Sequence, residues 1–277
     1  MPFFNPFRRK PKPTAAANDR SSPTADVGTR HCFVLCRSAE PDDLSAATRV
    51  VAEVFGPGYS ARVSDERIVT VGRGDEAIGF IAHMPTPIPN GEAEHHAGGN
   101  FLWPDGRVEA ARHRSHVIVT NVGGEDLTPV ESAIAVSRLA LVALQLFDGV
   151  GVYWGNASVT NSRSAFESFC ESMSEQHLPV PVWLRFQLLR PADEELGMYT
   201  LGMSQFGLME IEIERCRMGA QELFEFVSNI AHYLIQCGPV IEDGNTVGGS
   251  EAERILVQHR PSLVDADRRV YKIVFEA

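Results

Sequence analysis

The chain has 277 residues, 44% of them hydrophobic and 22% charged, enough to bury the core of one large domain or of two packed subdomains. Lys and Arg number 25 against 36 Asp and Glu, a net charge of −11; an acidic body repels phosphate backbones, which argues against nucleic acid as a partner of the folded part. Five cysteines (Cys32, Cys36, Cys170, Cys216, Cys237) without a C-x-x-C pair read as buried thiols of a reducing cytoplasm, and no run of about 18 apolar residues marks a membrane span.

Residues 1–30 hold six basic and two acidic residues, turn Pro-, Ala- and Ser-rich, and lack the apolar core of a secretory signal. This composition buries too little apolar surface to offset chain entropy, so a disordered basic tail is expected. Its first ten residues have two readings. Phe3, Phe4 and Phe7 beside Arg8, Arg9 and Lys10 can make a weak contact with an anionic membrane surface, or the tail is inert, Pro2 and Pro6 opposing a helix.

From His31 the pattern becomes that of a folded protein. The apolar run at 31–37 predicts a buried strand. Residues 41–55 place Leu44, Ala47, Val50, Val51 and Val54 on one helical face, with Gly56 as the stop. Two runs of β-formers around Gly72–Asp75 predict a hairpin over 66–84. Residues 85–104 read as loop with one short helical turn, 105–114 as helix and 115–121 as strand. The order β-α-β-β-α-β is that of a ferredoxin-like unit.

A helix is predicted over 128–147, with Pro129 in its first turn and Asp148-Gly149 at its end, apolar nearly all round as a helix buried between two layers requires. Strands follow at 150–156, 180–189, 196–203 and 208–216, with a helix over 162–174. A second helix over 220–236 has Leu223, Phe226, Val227, Ile230 and Leu234 on one stripe, and short strands at 246–247, 253–259 and 268–276 close the chain. The expected architecture is α+β: two ferredoxin-like (βαββαβ) halves, pseudo-duplicated, with antiparallel sheets packed against helices. The boundaries are a tail at 1–30, a first half at 31–123 and a second at 124–277.

Tyr153-Trp154-Gly155, Thr200-Leu201-Gly202-Met203, Phe206-Gly207 with Glu210 and Glu212, and Asp243-Gly244 with Thr246 and Gly248 resemble, in that order, a bacterial family catalogued as domain of unknown function 4261. The resemblance covers residues 31–275 and is strongest in the second half. The family brings no catalytic residues, substrate or cofactor to carry over.

Candidate site residues come from the pattern itself. Glu210, Glu212 and Glu214 alternate with apolar residues, so a strand would put three carboxylates on one face: an acid/base or cation site, a docking face for a basic partner, or a solvated acidic edge. Trp154 and Asn156 sit where a strand meets a loop, suited to stacking on and hydrogen bonding a ligand, or to filling the core and turning the chain. Neither His95-His96 nor His113-x-x-His116 has zinc spacing, Asp243-Gly244 reads as a turn, and Cys170 falls on an apolar helix side. No metal or cofactor is expected. The expected function is a non-catalytic cytoplasmic binding domain with a protein partner, immunity-type or regulatory in role. The competing class is an enzyme with a site between the halves built from Trp154, Asn156, Glu210 and Glu212.

Overall fold

The computed structural model describes residues 30–41, 43–64, 67–122, 127–192, 195–248 and 255–275. Phe3, Phe4, Phe7, Arg8, Arg9 and Lys10, with the rest of the tail, lie outside the described residues. The chain divides into two compact units at Gln187–Leu188.

The first unit is built on seven strands: β1 (His31–Cys36), β2 (Tyr59–Ser64), β3 (Ile68–Arg73), β4 (Glu76–Met84), β5 (Ser115–Asn121), β6 (Gly149–Trp154) and β7 (Val159–Ser162). They form one sheet in the order β2-β3-β4-β5-β1-β6-β7, and every neighbouring pair is antiparallel. Helices α1 (Ala47–Phe55), α4 (Pro129–Leu146) and α5 (Arg163–Cys170) pack on one face, while α2 (Glu92–Gly98) and α3 (Gly106–Ala110) sit on the other near β7.

Helix α4 is the hub. Its N-terminus is closed by a capping box: Glu131 N–H donates to Thr128 Oγ1 at 3.2 Å, and Thr128 N–H donates to Glu131 Oε2 at 2.8 Å. By length and composition α4 matches a membrane span, yet Val136, Leu139, Ala140, Val142, Ala143 and Leu144 are fully buried, as in a core helix. The fit against the sheet is close. A Cβ added at Gly79 on β4 would overlap Leu139, which fixes Gly79, Ile81 and His83 as the α4-facing side of that strand.

The second unit holds β8 (Arg185–Ala192), on which the chain enters it, then β9 (Glu195–Leu201), β10 (Glu210–Cys216), β11 (Thr246–Val247), β12 (Ile255–Pro261) and β13 (Arg269–Val274). Their order is β11-β12-β13-β10-β9-β8, with β10 and β13 parallel. The connection between those two runs through α7 (Ala220–Cys237), the helical crossover that parallel neighbours need. Leu223, Phe224, Val227, Ile230, Ala231 and Leu234 are its buried stripe, while Phe226 is half-buried on Phe275, ring centroids 5.8 Å apart.

The α+β class is as the sequence predicts, and the finer expectations need correction. Neither sheet has the ferredoxin-like order, and the two differ: one is wholly antiparallel, the other mixed. The expected boundary at 123/124 falls inside the first unit, because β6 pairs with β1 and carries α4 and β7 with it. Strand β2 was missed because it is a sheet edge with almost no buried side chains, and β7 because it is four residues long and largely polar. Residues 180–183, expected as the start of a strand, form the short helix α6 (Val180–Trp183).

Candidate functional site

The three alternating glutamates lie on β10 as expected, and each is spent locally. Glu210 is half-buried; it accepts hydrogen bonds from Thr200 Oγ1 (2.7 Å), Gly202 N (2.9 Å) and Ser204 N (3.4 Å). Thr200 Oγ1 in turn accepts from Ile211 N at 2.9 Å. Burial pushes the Glu210 carboxyl above its ordinary range, and the donors from Thr200, Met203, Gly202 and Ser204 pull the other way. Gly202 has φ +111°, a left-handed value that lets the chain turn around the carboxylate. Glu212 is 1% exposed and accepts from Ser262 Oγ (2.8 Å) and Leu263 N (3.1 Å), which pins the turn between β12 and β13. Glu214 pairs with Lys272.

The Asp243-Gly244-Asn245 segment is likewise structural. Asp243 Oδ1 accepts from His259 N (2.7 Å), Asn245 Oδ1 accepts from Glu242 N (3.0 Å), and Val257 N donates to Asn245 O (2.8 Å), fastening the turn to β12.

Trp154 is fully buried in the first unit, its ring 6.4 Å from that of Trp183, whose Nε1 donates to Ser137 Oγ at 2.8 Å. Asn156 is exposed in the 3-10 turn that follows β6. Trp154 and Asn156 thus belong to one unit, Glu210 and Glu212 to the other.

The histidines hold a loop. His116 Nδ1 donates to Thr86 O (2.7 Å), while His113 accepts from Ile88 N at Nε2 (2.9 Å) and donates to Ala110 O from Nδ1 (2.7 Å). His83 stacks on Phe147 with ring planes 3° apart, and its Nε2 lies 3.0 Å from Ser115 Oγ. Ser115 is fully buried and donates to Ser38 O at 2.5 Å, so this Ser–His pair offers no nucleophile to a substrate. On α2 the rings of His95 and His96 meet edge-to-face at 5.1 Å. His96 also stacks on Tyr153, whose hydroxyl donates to Glu92 Oε1 at 2.5 Å. A surface cleft of about 540 Å³ lined by Asn90, Gly91, Glu92, Glu94, His95 and Arg107 opens beside this group. Among the described residues, no group of three His, Cys, Asp or Glu side chains is placed to hold a metal ion. The described cysteines are all free, and burial pushes the Cys170 thiol up to about 12, which keeps it protonated.

Burial lowers the pKa of His83, His96 and His116, the nearby Arg67 adding to the effect at His83 and Arg185 at His96. A depressed histidine pKa contributes stability that is whole above the ordinary value of 6.5 and lost as pH falls through the lowered one. The melting temperature is therefore expected to drop between about pH 7 and pH 5. Thermal unfolding of the wild type and of His83→Gln across that range checks this, the variant showing the shallower drop.

The remaining candidate is a surface no sequence motif marked. The α4 side of the seven-stranded sheet is covered; on the opposite side α2 and α3 cover the β1–β6–β7 end, where Leu35 and Tyr153 pack with Ala93, Ala97 and Ala110, and the loop at Thr86 holds the buried His116 at one end of β5. Strands β2, β3 and β4 and the part of β5 beyond His116 are left bare there, with Ile68 36%, Phe80 37% and Met84 38% exposed beside the half-buried Ile78, Ala82 and Ile118. The pairing register puts these side chains on one face: Ile68–Ala82–Ile118–Phe33 form one cross-strand row and Thr70–Phe80–Thr120 the next. The signal legible in the sequence was that β4 is apolar at nearly every position, the mark of a strand with partners on both faces.

The fold and this surface define an α+β protein of two units, with a bare apolar sheet face in the first and an internally satisfied carboxylate strand in the second. Residues 199–274, from β9 to β13, match a family described as Domain of unknown function (DUF4261). No curated protein and no solved structure matches the chain. The matched region holds Thr200, Gly202, Glu210, Glu212 and the Asp243 turn, the residues that tie the six-stranded sheet together.

Proposed function

We propose that this is a non-catalytic, cytoplasmic binding protein, regulatory or immunity-type in role, whose working surface is the bare face of β2–β5 and whose partner is another protein. The observation that carries the reading is a contiguous apolar row (Ile68, Ala82, Ile118) flanked by Phe80 and Met84, on a face with no covering helix among the described residues. A sheet is stable when both apolar faces are buried, and an exposed contiguous apolar patch marks an interaction site. The carboxylates that would have served an enzyme are engaged by donors of their own unit, which favours a binding role over a catalytic one.

The test compares tagged full-length protein with the Phe80→Asp/Met84→Asp variant, each recovered from native lysate. Both side chains are exposed, so the variant is expected to fold. A single stoichiometric protein present with the wild type and lost from the variant is the expected result. A co-purifying protein that the variant retains overturns the choice of surface, and a bound metal or small molecule without any protein overturns the binding reading.

A further inference from the structure

The polar groups bordering the bare face, one of them the cation Arg62, narrow the kind of partner. One cross-strand row runs Arg62 (β2), Thr70 (β3), Phe80 (β4), Thr120 (β5), His31 (β1), each residue directly opposite the next. Arg62 and His31 are exposed at its two ends, and Phe80 stands in the middle. None of the strand residues that share this face, from Arg62, Ser64, Ile68 and Thr70 through Phe80, Ala82 and Met84 to Ile118 and Thr120, is an Asp or Glu, although the chain as a whole carries −11.

The spacing has a natural occupant. Strands lie about 4.8 Å apart, so Arg62 and His31 each stand two strands, roughly 10 Å, to either side of Phe80. A helix is about 10–12 Å across with its side chains. One lying along β4 would set its apolar stripe on Ile78, Phe80, Ala82 and Met84 and reach about 5–6 Å to either side of Phe80, leaving Arg62 and His31 about 4–5 Å beyond its flanks, a gap that long side chains on those flanks can bridge. It would also continue the helical layer that α2 and α3 begin over β7. A second copy of the chain fits less well, because face-to-face pairing would add the like net charges of two acidic bodies, with no carboxylate among the described strand residues of the face to receive Arg62.

Resting on the binding role proposed above, we infer that the bare face of β2–β5 receives an amphipathic helix of a partner protein whose apolar stripe is bordered by acidic residues on the side that meets Arg62.

The experiment uses the full-length protein and two synthetic 18-residue peptides with the same Leu/Ala stripe, bordered by Glu in one and by Lys in the other, read by fluorescence anisotropy. The Glu-bordered peptide is expected to bind about tenfold tighter than the Lys-bordered one. Arg62→Glu should remove that preference, and Phe80→Asp should weaken both peptides by about tenfold or more. Binding that depends on Phe80 without favouring Glu overturns the acidic-helix inference and leaves the surface standing. Binding indifferent to Phe80→Asp overturns both, since the peptide then sits elsewhere. Failure of both peptides, or Phe80-dependent binding only to phosphatidylserine vesicles, overturns the helix as occupant; the lysate comparison above then decides separately whether the face serves a protein at all.

Discussion

Replacing Glu210 by alanine is expected to cost about 3–4 kcal/mol of folding stability, among the largest single-residue effects in the second unit. The carboxylate is the shared acceptor for Thr200 Oγ1, Gly202 N and Ser204 N, so its loss leaves three donors to find water inside the fold. Each buried donor left without an acceptor costs about 1–3 kcal/mol, partly recovered if solvent enters the gap. Glu214→Ala, which breaks an ion pair whose carboxylate is 42% exposed, should cost under about 1 kcal/mol and serves as the control. Urea unfolding of the three proteins followed by circular dichroism gives the comparison. A Glu210→Ala loss no greater than that of Glu214→Ala would mean the carboxylate is not a structural acceptor, and would return it to the list of catalytic candidates.

Glu210 also sets the sign of a pH effect. Its folded pKa is raised above 4.5, chiefly by burial, so the folded state holds the proton more tightly than the unfolded chain. Its contribution to stability is whole below 4.5 and is lost as pH rises through the raised value. This runs opposite to the histidines of the first unit, whose contribution is lost as pH falls below 6.5. The two units should therefore show opposed pH trends, with Glu210→Gln flattening the one that declines as pH rises.

What the sequence revealed and what it hid follow from the range of the interactions involved. Helices α4 and α7 were legible because their caps and apolar spacing are local: Thr128 with Glu131 at one end of α4, Leu223 to Leu234 along α7. The alternation on β10 was legible too, but its meaning was not. Period two says only that Glu210 and Glu212 share a face. That one is received by the turn at 202–204 and the other by the turn at 262–263 depends on contacts up to 51 residues away. Sheet order was hidden for the same reason. Strand β1 pairs on one side with β5 and on the other with β6, a choice no local spacing encodes, and it moved the unit boundary from 123/124 to 187/188. For the bare face the apolar run of β4 was a partial signal, because β4 looks like any doubly buried strand until the register shows that only its α4 side is covered.

Trp154→Ala is expected to be the most damaging substitution in the first unit, at about 3–5 kcal/mol. The indole is fully buried at the end of β6 beside Trp183, itself fully buried and bonded to Ser137 of α4, so truncation opens a cavity among elements already fixed to one another. Such a site relaxes little, and the cost then lies toward the upper end of that range. Asn156→Ala, two residues on and exposed, should change stability by no more than about 0.5 kcal/mol. The pair separates packing from recognition. If Trp154 serves only the core, Trp154→Phe loses part of the stability yet keeps the affinity for the Glu-bordered peptide, since the ring has no solvent face from which to touch a ligand. If instead Trp154→Phe folds with nearly wild-type stability and Asn156→Ala abolishes binding, the loop after β6 is the recognition surface, and the bare face of β2–β5 must be explained by some other contact.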